Sequence, residues 1–144
     1  MAKRIKLASE EYAAQLKQLI NDDKEYAQLA ATVDDSYTLV LQAEPAKGVS
    51  ETVTVGFVIK SGKMTDVWLG ERQTSFILSA PYSVWVDILL GKIGPNRAFI
   101  TRRLKIVGNM PRLLKTAKAT ERLVDLLRKV PTEFHGEYAK LSFG

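Results

Sequence analysis

Residues 85–110, WVDILLGKIGPNRAFITRRLKIVGNM, divide into four pieces by their own punctuation. Trp85, Ile88 and Leu89 recur at helical spacing, and with Pro81 and Tyr82 ahead of them they predict a short helix over residues 81–90. Gly91 ends it, because glycine enters the left-handed conformation that other residues avoid. Gly94-Pro95-Asn96 predicts a turn, after which residues 97–101 carry Ala98, Phe99 and Ile100. Residues 102–107, RRLKIV, alternate charged and apolar side chains as a half-buried strand does. Gly108-Asn109 closes that strand and opens another helix. Five basic residues, Lys92, Arg97, Arg102, Arg103 and Lys105, fall within fourteen positions among these large apolar groups. The pairing suits a pocket for an apolar molecule with a cationic rim.

Upstream lie strands. Tyr37, Leu39 and Leu41 share one face of residues 36–43, and Val53, Val55, Phe57 and Ile59 line one face of the next segment, with Gly56 leaving a gap behind. Ser61-Gly62 predicts a hairpin turn into residues 63–69, whose alternation groups Met64, Asp66 and Trp68. Residues 75–79 supply a fourth strand carrying Phe76 and Leu78. Phe57, Trp68 and Phe76 thus fall on three successive strands, while Trp85 and Phe99 flank the covering helix and loop. Each is an ordinary core residue when taken singly, but the set can line a cavity.

Before the strands, Ser9 with Glu10-Glu11 predicts a capped helix whose face is Tyr12, Leu16, Leu19 and Ile20. Asn21-Asp22-Asp23 interrupts it, and a second short helix through Tyr26, Leu29 and Ala30 ends near Thr32. The acidic pairs Asp22-Asp23 and Asp34-Asp35 lack the spacing of a calcium loop and read as caps and turns. After Asn109 one long amphipathic helix is predicted up to Pro131. Its apolar face is Leu113, Leu114, Ala117, Leu123, Val124, Leu126 and Leu127, and its basic face is Arg112, Lys115, Lys118, Arg122, Arg128 and Lys129. The tail, residues 131–144, holds Phe134, Tyr138, Leu141 and Phe143, which predicts that it packs on the domain or covers an opening.

At 144 residues the chain fits one domain, 46% hydrophobic and 26% charged. It has no Cys and one His, His135, which excludes a disulfide or a thiolate nucleophile and leaves no catalytic or metal-ligating constellation. No cofactor is expected. Residues 1–7 are basic without the apolar stretch of a secretory signal, so a cytoplasmic protein is expected. Residues 1–72 hold 9 Lys/Arg against 11 Asp/Glu, whereas residues 73–144 hold 12 against 5. Such a field favours an anionic partner. Arg102, Arg103, Lys105, Lys115 and Lys118 are the expected contacts to an anionic headgroup or a transiently touched membrane surface. Nucleic acid ranks lower, since no reading motif accompanies the charge.

Gly91, Lys92, Pro95, Ala98, Phe99, Leu104, Lys105, Ile106, Gly108 and Asn109 fall on a G-K-x-x-P-x-x-A-F…L-K-I-x-G-[ND] pattern that resembles the sterol carrier protein 2 family. The similarity covers roughly residues 37–127. It implies an α+β fold, a five-stranded, mostly antiparallel mixed sheet with helices over one face, and an apolar tunnel between the layers. It implies further an intracellular, non-enzymatic carrier of a sterol, fatty acid, acyl-coenzyme A or isoprenoid and quinone type of ligand. The residues that would hold it are Phe57, Trp68, Phe76, Leu78, Trp85, Leu89, Ile93, Phe99 and Ile106. An accessory module that docks on a partner protein is the alternative on the same fold. Where many members carry glycine just before the Leu-Lys-Ile strand, this chain has Arg102-Arg103.

Overall fold

The computed structural model describes residues 4–144, so the first three positions of the basic N-terminal stretch lie outside it. A five-stranded sheet is built from β2 (Asp34–Gln42), β3 (Val53–Lys60), β4 (Lys63–Leu69), β5 (Phe76–Pro81) and β6 (Lys105–Val107). Their order is β4-β3-β2-β5-β6, antiparallel except for the central β2–β5 pair. A separate parallel pair joins β1 (Ile5–Lys6) to β7 (Thr132–Glu133), two-residue strands too short to show a period in the sequence.

One face of the sheet carries the core. Tyr37 pairs with Phe57 on one side and Phe76 on the other, and Leu39 with Val55 and Leu78, so the apolar alternation of three strands coincides. Over this inner face lie α1 (Glu10–Asp22), α2 (Lys24–Leu29), α3 (Tyr82–Leu89), α4 (Pro95–Ile100), α5 (Met110–Lys115) and α6 (Ala117–Leu127). Ser9 caps α1, and Asp23, extended at φ −90° and ψ 112°, ends α1 and caps α2 through the Tyr26 amide at 2.8 Å. Asp23 is therefore a cap, as its sequence context predicts. Asp34 and Asp35 instead open β2 rather than form a turn.

Three expectations are corrected. Residues 95–100 form a helix, not a turn running into a strand: Gly94 occupies the cap position and Pro95 the first turn, where its missing N–H costs nothing. The strand after it is only Lys105–Val107, because Arg102 turns the chain in the left-handed region at φ +64°. The long C-terminal helix is two, broken at Thr116, whose hydroxyl hydrogen-bonds back to the Leu113 carbonyl at 3.1 Å. The break rotates α5 relative to α6, and Leu114, expected on the apolar face, is exposed.

The tail packs on the body of the protein. Phe134 is buried against Phe143, ring centroids 5.8 Å apart, and Tyr138 stacks on Tyr82 at 5.4 Å. Tyr82 accepts a hydrogen bond from the His135 amide at 2.9 Å, and its hydroxyl lies 2.6 Å from Nδ1 of the same residue. His135 thus anchors the tail to the N-terminus of α3. Burial keeps its imidazole below the ordinary range, with Lys6 acting in the same direction.

Candidate functional site: an apolar cavity between sheet and helices

Of the apolar spaces between the inner face of the sheet and the helices, the principal one has a volume of about 40 Å³. Its floor is Tyr37 and Leu39 of β2, Phe57 of β3 and Leu78 of β5; its roof is Trp85 of α3, Leu113 of α5, and Ala119, Leu123, Val124 and Leu127 of α6. Every one of these positions follows from strand alternation or helical spacing, so the cavity exists where two apolar faces meet without filling the space. Two smaller spaces adjoin it. One, of about 30 Å³, shares Leu39, Trp85 and Leu127 with it and continues under α1 to Tyr12 and Leu16. The other, of about 20 Å³, shares Leu78, Pro95, Leu104, Leu113 and Thr120 and leads outward between α4 and α5, past Phe99, Met110 and Leu114. The three form a row with common walls.

Trp85 is fixed at the junction of the row. Its Nε1 donates to the Val40 carbonyl at 2.9 Å, so the indole satisfies its one donor and presents apolar surface on both sides. The polar groups in the walls are few. Thr116 and Thr120 give their hydroxyls to backbone carbonyls of their own helices, leaving methyl groups to the cavity. Tyr12 places a buried hydroxyl in the inward space; in the central one Tyr26 and Tyr37 carry the remaining hydroxyls, and burial raises the pKa of both, Asp35 adding to the effect at Tyr37. Both stay neutral at physiological pH. Beside Tyr37, Asp35 meets Arg112 at 2.6 Å, and burial pushes the Asp35 carboxyl up in spite of that arginine.

The roof is tied down by charge. Arg122 of α6 forms a two-pronged pair with the Asp23 carboxylate, 2.7 and 3.0 Å, and the hydrogen bonds from Arg122 hold Asp23 below the ordinary carboxylate range. Arg128 donates to the Ile88 and Ile93 carbonyls, which lock α6 to α3 and the loop after it. Asn96 of α4 donates to Glu121 at 2.6 Å.

Of the nine apolar site residues expected from the sequence, Phe57, Leu78 and Trp85 line the principal cavity, Phe99 and Ile106 line its outward extension, and Leu89 lines the inward one. Phe76 is buried on the inner face, edge-on to Tyr37 at 5.5 Å and so one residue back from the space, and Ile93 is buried behind α3. Trp68 is a correction. A register shift between Val58 and Ile59 pairs Met64 with Ile59 but Asp66 with Val58, so Met64 points inward while Trp68 lies on the outer face. There it lies flat over Gly56, under the Arg72 guanidinium at 4.4 Å. The wall residues on α2, α5 and α6, Tyr26, Leu113 and Leu123 among them, were readable in sequence only as core.

The basic residues divide in two. Arg103 pairs with Asp87 at 2.7 Å and, like Arg112, Arg122 and Arg128, serves the fold. Lys105 pairs in register with Ser79, across the sheet from the cavity. Both therefore leave the anion-facing set expected from the sequence. Arg102, Lys115 and Lys118 stay exposed near the outward extension, and among the described residues none of the three is in an ion pair.

Among the described residues no helix is long and apolar enough to cross a membrane. Comparison with known proteins then places the chain. The model of the SCP-2 sterol transfer family matches residues 13–121. A crystal structure of sterol carrier protein 2 superposes with a TM-score of 0.80 at 25% identity, covering 86% of this chain and 98% of that one. The solution structure of a conserved hypothetical protein from Thermus thermophilus, described as possibly a sterol carrier protein, gives 0.79 at 24% identity, over 90% and 92% of the two chains. An SCP2 ubiquinone-synthesis protein gives 0.55 at 8% identity over 81% and 91%, a likeness of fold alone. A search of curated proteins finds no match. The sheet order, the apolar row beneath its helices and the extent of the family match agree: this chain belongs to the SCP-2 sterol transfer family, whose fold binds and carries lipids.

Proposed function

We propose that this protein is a non-enzymatic carrier of one slender, long-chain lipid, of the fatty-acid or isoprenoid type, held between the sheet and helices α3, α5 and α6. The row of three apolar spaces with shared walls carries this reading, because it is long and narrow rather than broad. An extended chain fits such a path better than a rigid fused-ring body. The walls the spaces share include Leu39, Leu113 and Leu127, apolar side chains that can rotate with no hydrogen bond to break. Burying about 10 methylenes yields roughly 8 kcal/mol gross at about 0.8 each, which after ordering costs supports affinities around micromolar. Neutral Tyr26 and Tyr37 hydroxyls offer one polar end for a headgroup.

The narrowness of the spaces also favours a second reading. About 40 Å³ holds only a few waters as it stands, so a roof that never yields would make this fold a docking module for a partner protein. Lipid extraction and native mass spectrometry of the purified protein, with titration of a fluorescent fatty acid, separate the two. A co-purified lipid or saturable fatty-acid binding is expected; finding neither would leave the docking module.

A further inference from the structure

The outward extension of the cavity ends between two lips, and each lip leaves one large aliphatic side chain in water. Ile100, at the end of α4, is 76% exposed and Leu114, at the end of α5, is 58% exposed, the two highest values among the large hydrophobic residues described. Neither is needed for the core: α4 buries Pro95 and Ala98, and α5 buries Leu113. Ile100 stands one turn beyond Asn96, which lines the opening and bonds to α6, while Leu114 itself forms part of the rim. Flanking them are Arg97 and Arg102 on one side and Lys115 and Lys118 on the other, all exposed and, among the described residues, outside every ion pair. Glu121 accepts a hydrogen bond from Asn96, and Asp87 is paired with Arg103. Exposed aliphatics within a ring of unpaired cations match one surface chemistry, an anionic phospholipid bilayer, whose phosphates meet the cations while its acyl boundary receives the apolar pair.

Resting on the carrier reading, we infer that this lip is the membrane-docking surface and that it opens the cavity directly into the bilayer. Ile100 and Leu114 enter the acyl boundary, and the four cations hold the lip against anionic headgroups, each contributing about fivefold in affinity near the surface. A ligand then moves between bilayer and cavity past Phe99 and Met110 without crossing water. Salt screening returns the protein to solution, since the attraction outside the contact falls off over about a Debye length of 8 Å.

The test uses Ile100→Asp, an exposed position outside the cavity walls, with vesicles of phosphatidylcholine alone or mixed with phosphatidylglycerol. Wild type is expected to partition onto the anionic vesicles and far less onto the neutral ones. Ile100→Asp should lose about tenfold in partitioning and slow transfer of a fluorescent fatty acid from vesicle to protein in parallel, with its affinity for that fatty acid in solution unchanged. Ile100→Trp should bind anionic vesicles at least as well as wild type and shift its emission to the blue on binding. Unchanged partitioning of Ile100→Asp, or equal binding of wild type to both vesicle types, would overturn the docking surface while leaving the carrier intact. Absence of saturable fatty-acid binding by wild type would instead remove the carrier reading, and the docking surface with it.

Discussion

The two tryptophans occupy opposite faces of one sheet and show how differently those faces are built. Trp85, on the helical side, is held by a single hydrogen bond to the Val40 carbonyl and borders open apolar space in two directions. Trp68, on the other side, is pressed against backbone: a Cβ on Gly56 would sit 2.3 Å from its ring, and Arg72 closes the opposite side at 4.4 Å. The first face encloses apolar space between two layers; the second packs Trp68 tightly and otherwise borders an open, partly polar cleft of about 460 Å³ beside Thr38, Val40, Arg72 and Ile77. A sheet that must admit a ligand between its layers needs this asymmetry, because the rigid face keeps the strands in register while the roof yields.

The largest way to sharpen that contrast is Gly56→Ala. The added methyl overlaps the Trp68 indole, so a loss of about 1–3 kcal/mol is expected by denaturant unfolding, with red-shifted tryptophan emission as Trp68 is displaced. Fatty-acid affinity should hold, since the change lies behind the sheet. A comparable substitution on the cavity side would weaken affinity as well.

Tyr82→Phe should act on the roof side. It removes the hydroxyl that receives the His135 amide and contacts its Nδ1, both around a fully buried ring, at a cost of about 1–2 kcal/mol. The pH dependence follows from the lowered pKa of His135. The unfolded chain binds its proton more readily than the folded one, so this stabilisation is complete above the unfolded pKa of about 6.5 and is lost as pH falls through the folded value. Melting temperature should drop on acidification below about 6.5 in wild type, and His135→Gln should show a shallower slope over the same window.

The smallest effect is expected at the mouth. Arg102→Gly relieves a left-handed backbone at φ +64° and should stabilise by about 0.5–1 kcal/mol in thermal melts. Loss of vesicle partitioning in this more stable variant would assign the cost to the docking cation.

The sequence made the inner face legible because Tyr37, Leu39, Phe57 and Leu78 obey strict alternation and a family-like block from Gly91 to Asn109 fixes what covers them. It misplaced Trp68 because a bulge adds one residue between Met64 and Asp66, and an inserted residue reverses the facing of everything beyond it without leaving a mark in the composition. The α4 helix was hidden by its length: six residues cannot show a 3.6-residue period, although Gly94 before Pro95 was a readable start signal. The break at Thr116 has no glycine or proline to announce it. It was this break that turned Leu114 outward and converted a supposed core residue into part of the rim. Charge was misread for a related reason, since Arg103, Arg112, Arg122 and Arg128 look like a solvated basic face until their partners on Asp87, Asp35, Asp23 and Asp125 are known.

The central claim, a lipid held on the Trp85 side of the sheet, is tested most directly by quenching with a brominated fatty acid in the two single-tryptophan variants. Trp68→Phe leaves only Trp85 as a reporter, and its emission should be quenched saturably at micromolar ligand. Trp85→Phe leaves only Trp68, screened by the sheet, which should lose little intensity over the same titration. Saturable quenching of Trp68 with none at Trp85, or no saturable quenching of either, would contradict the account.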